Sequence, residues 1–269
     1  MAGRSVATSL LAASLIAGCT KGSPAPRGTI APANVVMVNA TEYSFALPQR
    51  ATGGVVTLQL ANVGSVVHEF AFGRIDAGKT LDDLKAALDT RKDPSNFPWA
   101  HDLAGVSALS PGQEVDVTRE LTEPGTYAFF CFIPNADGVP HYTLGMIAGF
   151  TLSGTSAASL PTPDATITAT DDGFQVPALA AGTTTVEFKN AGKKEHEFQL
   201  FSFEPGNGFK DVGQWINSGQ VGLAPVVFPG GIQTIPAGTS VFETLTLESG
   251  RTYMLQDFEH NLMTEFTVT

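Results

Sequence analysis

Short segments in which hydrophobic and polar residues alternate run through most of the chain. Residues 56–61 read VTLQLA, residues 114–118 read EVDVT and residues 186–189 read VEFK. A period of two gives a strand one buried face and one exposed face. Turn sequences such as Pro-Gly and Asn-x-Gly lie between these segments. The pattern therefore predicts an all-β protein built from Greek-key β-sandwiches.

Two segments depart from this alternation and predict short helical inserts. Thr80 precedes LDDLKAALD, in which the leucines form one apolar stripe, so we expect Thr80 to cap a helix over 81–89. Residues 209–219 (FKDVGQWINSG) carry a looser helical pattern. Only 15% of residues are charged, while Gly and Pro number 28 and 17, a balance that favours many short strands over long helices.

The chain contains an internal repeat. The segment TLQLANVGSVVHEF, which ends at Phe70, resembles TVEFKNAGKKEHEF, which ends at Phe198. Five positions match: Asn62 with Asn190, Gly64 with Gly192, His68 with His196, Glu69 with Glu197, and Phe70 with Phe198. Further on, residues 110–130 resemble residues 235–255. The repeat predicts two tandem copies of one folding unit, which a length of 269 residues can accommodate.

We place the two predicted domains at 34–153 and 165–269. Between them, residues 154–164 read GTSAASLPTPD, a run of small residues and prolines typical of a linker.

The N-terminus predicts an exported protein. Arg4 precedes an apolar run over residues 6–16, and residues 1–18 together have the form of an export signal too short to span a membrane. The junction at residues 16–19 (IAGC) resembles the lipobox of bacterial lipoproteins, which implies cleavage before Cys19 and lipid attachment to its sulfur. Residues 19–33 then form a flexible tether rich in Pro and Gly. We therefore expect a lipid anchor at the outer face of the cell membrane or in the periplasm.

The formal net charge is −11, which would repel a phosphate backbone, so we expect no nucleic-acid partner.

One loop combines a thiol, an imidazole and a thioether. Cys131, His141 and Met146 follow the spacing C-x9-H-x4-M, and His68 lies upstream at the start of an apolar run. One Cys, two His and one Met form the ligand set of a mononuclear blue-copper site. Taken singly, each residue has a structural alternative: a core or loop histidine, an inert buried Cys, or a core Met. Their joint order within the β pattern favours a metal site.

With these residues, the chain resembles the cupredoxins, the plastocyanin and azurin superfamily of blue-copper proteins. The motifs are HEF in an early strand, GTYAFFC in a late strand and the loop down to Met146, and the resemblance covers most of 34–269 as two copies. It implies an eight-stranded Greek-key sandwich with one type 1 copper at one end of the first copy. His68, Cys131 and His141 would be trigonal ligands and Met146 the weak axial ligand. Many cupredoxins have Asn where this chain has Glu69, so Glu69 changes the surroundings of the ligands.

The second copy lacks the thiol. His196 takes the place of His68, and Asp257 falls at the position of Cys131. His260 and Met263 remain in a shortened loop. Without a thiolate no blue site forms, so we regard 165–269 as a degenerate copy that supports the first domain or docks a partner. A vestigial site of His196, His260 and Met263 stays open as an alternative.

The function that these features predict is one-electron transfer by a membrane-anchored copper protein, with a redox protein or membrane electron-transfer complex as partner. Copper capture or delivery, and a metal-free binding module on the same scaffold, are alternatives. We expect no enzymatic activity. Oxidases and copper nitrite reductases place His beside the copper Cys, whereas Phe130 and Phe132 flank Cys131, and the chain has only five histidines.

Overall fold

The computed structural model describes residues 34–89, 97–219 and 222–269. The predicted signal (1–18), the predicted lipidation site Cys19 and the predicted tether (19–33) lie outside these residues. None of the helices in the described ranges is long and apolar enough to cross a membrane.

Strands account for most of the described residues. The first half contains β1 (Asn34–Thr41), β2 (Ser44–Ala46), β3 (Arg50–Asn62), β4 (His68–Ile75), β5 (Ala100–Asp102), β6 (Val106–Leu109), β7 (Glu114–Leu121), β8 (Gly125–Phe130) and β9 (Ile147–Thr155). The second half contains β10 (Ala165–Thr170), β11 (Gly173–Gln175), β12 (Gly182–Asn190), β13 (His196–Phe203), β14 (Val226–Ile235), β15 (Ser240–Leu247), β16 (Thr252–Asp257) and β17 (Leu262–Thr267). One helix lies in each half, α1 (Leu81–Asp89) and α2 (Phe209–Asn217).

The strands of each half lie in two layers, and the chain crosses between the layers after β3, β6 and β7 and after their counterparts β12, β14 and β15. In the first half, β2, β1, β3 and β7 pair in that order, and β9, β8, β4 and β6 form the other layer. In the second half, β11, β10, β12 and β15 repeat the first order, and β17, β16, β13 and β14 repeat the second. The predicted all-β class, with sandwich-like halves and a short helix in each, is confirmed.

Both layers continue from one half into the other. Strand β7 pairs antiparallel with β15, its counterpart in the repeat, and β6 pairs antiparallel with its own counterpart β14. Antiparallel pairing of equivalent strands is the arrangement expected around a local twofold axis. The described part of the chain forms one compact unit, and the boundaries at 153 and 165 stay predictions.

Burial follows the alternation of the sequence. Val56, Leu58 and Leu60 on β3 are 2% exposed or less, whereas the intervening residues are half-buried. On β12, Val186 and Phe188 are likewise buried. These residues belong to one apolar core that fills the space between the layers in both halves.

Helix α1 begins as the sequence predicts. The Asp83 N–H donates to Thr80 Oγ1 at 3.1 Å, and the Thr80 N–H donates back to Asp83 Oδ2 at 2.9 Å. This reciprocal pair satisfies two N–H groups at the start of the helix. Leu84 on the inner face is buried against Ile75 and Ala128, so the helix covers the outer side of the β4–β8 layer.

The carboxyl group of Glu243 is enclosed where the two halves meet. Glu243 on β15 has no exposed surface and lies in register with Val117 of β7. The Gly231 N–H donates to both of its oxygens, at 3.0 and 3.2 Å. Burial raises the pKa of Glu243 to about 8, and the Gly231 N–H only partly opposes this shift. The carboxyl group is therefore more easily protonated in the folded protein than in the unfolded chain.

Glu243 makes stability fall as pH rises. Because its pKa in the folded protein lies above the value of 4.5 for a free side chain, the folded state holds the proton more tightly, and stability is lost as pH rises through about 8. The Glu243→Gln variant cannot ionise at this position. We expect its free energy of unfolding, relative to that of the wild type, to be higher at about pH 8 than at about pH 5 by a few kcal/mol. Denaturant unfolding at both pH values measures the difference. Glu265→Gln, which removes an exposed carboxylate of β17, is the control, and equal pH dependence of Glu243→Gln and wild type would refute the assignment.

Candidate metal centre

The four predicted donors lie at strand ends at one end of the first half. His68 is the first residue of β4, and Cys131 directly follows β8. His141 begins a short 3-10 helix (His141–Leu144), and Met146 directly precedes β9. Because β4 pairs with β8 and β8 pairs with β9, the ends of these three strands bring the four residues to one end of the layer.

Backbone hydrogen bonds hold the loop from Cys131 to Met146 in a fixed form. The Cys131 N–H donates to Met146 O at 3.3 Å, and the Met146 N–H donates to His141 O at 3.0 Å. The Tyr142 N–H donates to Cys131 O at 2.9 Å, and the His141 N–H donates to Ile133 O at the same distance. The main chain around all three loop donors is therefore fixed by internal contacts.

His68 is positioned by the turn that precedes it. The buried Asn62 side chain donates to Val66 O at 2.8 Å and to Leu109 O at 2.7 Å, and accepts the Gly64 N–H at 3.0 Å. A Cβ at Gly64 would lie 3.1 Å from His68 Nε2, so a larger residue there would crowd the imidazole. Asn62 and Gly64 of the repeat therefore serve to place His68.

The structure brings His68, Cys131 and His141 together. One donor atom from each lies within 4.8 Å of the others, and Cys131 Sγ is 3.5 Å from His141 Nδ1. The His68 and His141 rings are 5.2 Å apart between centroids. Met146 is fully buried in the same apolar core as Cys131. His68, Cys131 and Met146 have no exposed surface, and His141 is 2% exposed.

The imidazole of His68 has unsatisfied polar atoms. Both of its ring nitrogens are buried without a hydrogen-bond partner among the described residues. Leaving a buried polar group unpaired costs about 1–3 kcal/mol. A metal ion held between His68, His141 and Cys131 would satisfy a ring nitrogen of His68, so the residues fit a bound metal.

The protonation states also suit a metal. Burial, with a smaller contribution from nearby His141, lowers the pKa of His68 to about 4, and burial lowers the pKa of His141. Both imidazoles are therefore neutral at pH 7, as metal ligands must be. Burial, assisted by the Glu69 carboxyl, raises the pKa of Cys131 to about 12 in the metal-free protein. Binding a metal through Cys131 Sγ would release one proton.

Glu69 connects this cluster to the second half. Its backbone N–H donates to Cys131 Sγ at 3.3 Å, and its carboxyl accepts the Phe132 N–H at 2.8 Å. The Gln233 side chain of β14 donates to the other carboxyl oxygen of Glu69. Gln233 is fixed in turn, because Gly105 donates to its side chain and accepts from its backbone. Gln233 of the second half thus fixes Glu69, the residue that follows His68 and donates its backbone N–H to Cys131 Sγ.

The second half carries a corresponding cluster. His196, Asp257 and His260 lie with one donor atom each within 4.8 Å of the others. Asp257 Oδ2 is 2.7 Å from His196 Nδ1 and 3.1 Å from His260 Nδ1. Met263 does not join them, because its side chain is 51% exposed on β17. The vestigial set therefore includes the two predicted histidines with Asp257 in place of Met263.

Two residues near these clusters were not anticipated from the sequence. No motif in the sequence around Gln233 points to a role, because Gln233 reaches Glu69 only through the pairing of β6 with β14. Asp171, which lies 3.3 Å from His196 Nε2, occurs in the tight turn between β10 and β11. Its carboxylate also accepts the Lys193 N–H at 2.8 Å. Both depend on contacts between distant segments.

Neither a protein-family model nor a curated protein matches this chain. Solved structures that align with it include auracyanin A, a blue copper protein from Chloroflexus aurantiacus, with 18% identity over 44% of this chain and 98% of that chain and a TM-score of 0.31. A multicopper oxidase aligns with 14% identity over 92% of each chain and a TM-score of 0.26. A copper nitrite reductase from Nitrosomonas europaea aligns with 13% identity over 87% of this chain and 93% of that chain, with a TM-score of 0.27.

The expectation that this chain is not an enzyme is corrected by these comparisons. The multicopper oxidase and the nitrite reductase are enzymes, and they align over most of the chain. Phenylalanines beside Cys131 and a small number of histidines therefore do not exclude enzymatic activity. Likenesses this distant assign no activity to the chain either.

The burial of Cys131 predicts an unreactive thiol. In a Cys19→Ser variant Cys131 is the one remaining cysteine. We expect a thiol reagent to label the folded, metal-free variant about a thousandfold more slowly than the denatured chain, because both the raised pKa and the lack of exposed surface suppress reaction. Absorbance of the released reagent measures both rates. Labelling of the folded variant at the denatured rate would contradict this structure of the loop.

Proposed function

We propose that the first half binds one type 1 copper ion through His68, Cys131, His141 and Met146, and that the protein carries single electrons. The observation that supports this most strongly is the buried His68 ring, whose nitrogens have no hydrogen-bond partner among the described residues. A core histidine with a purely structural role would have a partner for at least one nitrogen. This argues against a metal-free module.

The four donors have the chemistry that copper requires. A thiolate and a thioether are soft ligands that suit Cu(I), and imidazoles suit both oxidation states. Copper bound there would exchange between Cu(I) and Cu(II) and so accept and release one electron. A type 1 site, with a single copper, is the arrangement that one thiolate, two imidazoles and one thioether favour.

The protein holds these donors in place before any metal binds. His68 is fixed through Asn62, and the loop of Cys131 and His141 is fixed by its own backbone bonds. Ligands on a rigid scaffold need little movement when the charge of the centre changes. This favours fast electron transfer.

The burial of the donors favours an electron carrier over copper delivery. None of the four side chains is more than 2% exposed, so an acceptor protein has no ligand to reach directly. His141 lines one wall of a cleft of about 810 Å³, and Phe132 nearby is 44% exposed. An electron can pass through the His141 ring at this surface while the donors stay enclosed. We propose that a redox protein or a membrane electron-transfer complex docks there.

Export and attachment to a membrane complete the proposal. Lipid on Cys19 would hold the folded part at the outer face of the cell membrane or in the periplasm, with residues 19–33 as the tether. The form of residues 1–19 supports this.

Copper loading tests the proposed function. We expect wild-type protein loaded with Cu(II) to turn blue and to hold one copper at the first half. Cys131→Ser should be colourless and His68→Gln should lose the blue band, because each removes one ligand. The control is His101→Gln, which changes a half-exposed imidazole bonded to Asp76 and should stay blue.

Absorption spectra, paired with a copper count per chain, give the result. A folded wild-type protein that stays colourless would refute type 1 copper binding. A blue protein that cannot be reduced and reoxidised reversibly would refute electron transfer alone.

Gln233 should tune this centre from the second half. Gln233→Leu removes the side chain that donates to the Glu69 carboxyl. Glu69, whose backbone N–H donates to Cys131 Sγ, is then held less firmly. Outer partners of metal ligands contribute about 10–100-fold to metal affinity. We expect a shift of the blue band and of the reduction potential, with copper affinity lower by about tenfold. Gln175→Leu, at an exposed position of β11, is the control, and identical spectra and potentials for both variants would show that Gln233 has no such role.

A further inference from the structure

We propose that the second half binds a divalent cation of the zinc(II) or copper(II) class through His196, Asp257 and His260. This site has the position of the first cluster, but a carboxylate replaces the thiolate. It does not depend on the proposed function of the first half, because none of its residues contacts His68, Cys131 or His141 in the bonds and ring contacts described above.

The three donors occupy equivalent places in the repeated fold. His196 begins β13 as His68 begins β4, and Asp257 ends β16 where Cys131 follows β8. His260 follows in the next turn, as His141 does in the longer loop. Asn190 repeats the bonds of Asn62, with its side chain donating to Lys194 O at 2.8 Å and Ile235 O at 2.9 Å. The same scaffold therefore directs a second set of donors to one point.

The donor atoms converge and are shielded from water. Asp257 Oδ2 lies 2.7 Å from His196 Nδ1 and 3.1 Å from His260 Nδ1. His196 and Asp257 have no exposed surface, and the rings of His196 and His260 are 4.9 Å apart between centroids. Both imidazoles present Nδ1 to the carboxylate, just as His141 presents Nδ1 to Cys131 Sγ.

An outer carboxylate completes the arrangement. Asp171 Oδ1 lies 3.3 Å from His196 Nε2, the nitrogen that faces away from Asp257. Histidines that bind metals usually donate their second N–H to a carboxylate or carbonyl, which fixes the ring and makes the other nitrogen a better donor. Asp171 is fixed by the backbone N–H groups of Lys193 and Lys194. His68 has no hydrogen-bonded carboxylate of this kind among the described residues.

The donor set selects the kind of cation. Two imidazoles and one carboxylate suit zinc(II) and copper(II), whereas Cu(I) favours soft sulfur ligands. A site without thiolate or thioether would not be blue. We therefore assign it to a cation that stays divalent and joins β13 to the turn after β16.

Proton balance follows from the hydrogen bonds. In the metal-free protein each contact between an Nδ1 and Asp257 Oδ2 requires a proton on the imidazole nitrogen, since the carboxylate only accepts. A cation that bonds to the same Nδ1 atoms takes the place of those protons, which leave to solvent or move to Nε2.

Zinc binding to the full chain tests the assignment. In a His68→Gln, Cys131→Ser background the first cluster lacks two donors, and we expect equilibrium dialysis near pH 7 to show one bound zinc ion per chain. Adding His260→Gln should lower the zinc affinity by about 100-fold, and adding Asp171→Asn by about tenfold. Adding Met263→Leu, which changes an exposed residue of β17, should leave the zinc affinity unchanged.

The outcomes are distinct from those of the copper test. A folded background protein that binds no zinc, or one whose zinc affinity is unchanged by His260→Gln, overturns the proposal and identifies the cluster as a hydrogen-bonded triad. If circular dichroism shows that the background does not fold, wild type and His260→Gln are compared directly. Loss of one zinc ion in the variant, with its blue copper band retained, supports the site, and an equal zinc count refutes it.

Discussion

The central constraint in this structure is the enclosure of His68. Its imidazole is fully buried, and neither nitrogen has a hydrogen-bond partner among the described residues. Proteins rarely leave a buried polar group in this state, because its desolvation is not compensated. Asn62 fixes the turn that precedes His68, and one donor atom of the ring lies within 4.8 Å of donor atoms of Cys131 and His141. The proposed copper site depends on this imidazole being a metal ligand.

The same scaffold gives the buried histidines of the two halves different hydrogen-bonding surroundings. In the first half the residue after β8 is a thiol, which pairs poorly with the imidazoles as a hydrogen-bonding group. In the second half Asp257 accepts from both His196 and His260, and Asp171 pairs with the remaining nitrogen of His196. A carboxylate in place of the thiol thus gives His196 a hydrogen-bond partner of the kind that His68 lacks among the described residues. The pairing of β6 with β14 then makes the second half part of the first site through Gln233 and Glu69.

Local pattern predicted the all-β class, the two helical inserts and three side chains that the structure brings together, His68, Cys131 and His141. Alternation over residues 56–61 marked the buried face of β3, and the Thr80 cap marked the start of α1. Matching the repeat placed Asp257 opposite Cys131. The sequence did not show that Met263 lies outside the second cluster, because exposure depends on which face of β17 packs inward. Nor did it show that equivalent strands pair across the halves, since strand edges carry no signal for their partner.

The central claim is that the thiolate of Cys131 and two imidazoles bind one copper ion. X-ray absorption at the copper edge tests this most directly in protein loaded with a single equivalent of copper. We predict one short copper–sulfur bond together with two nitrogen ligands, and loss of that sulfur ligand in Cys131→Ser. A copper ion surrounded only by nitrogen and oxygen in a folded protein whose second-half cluster is removed by His260→Gln would contradict this claim.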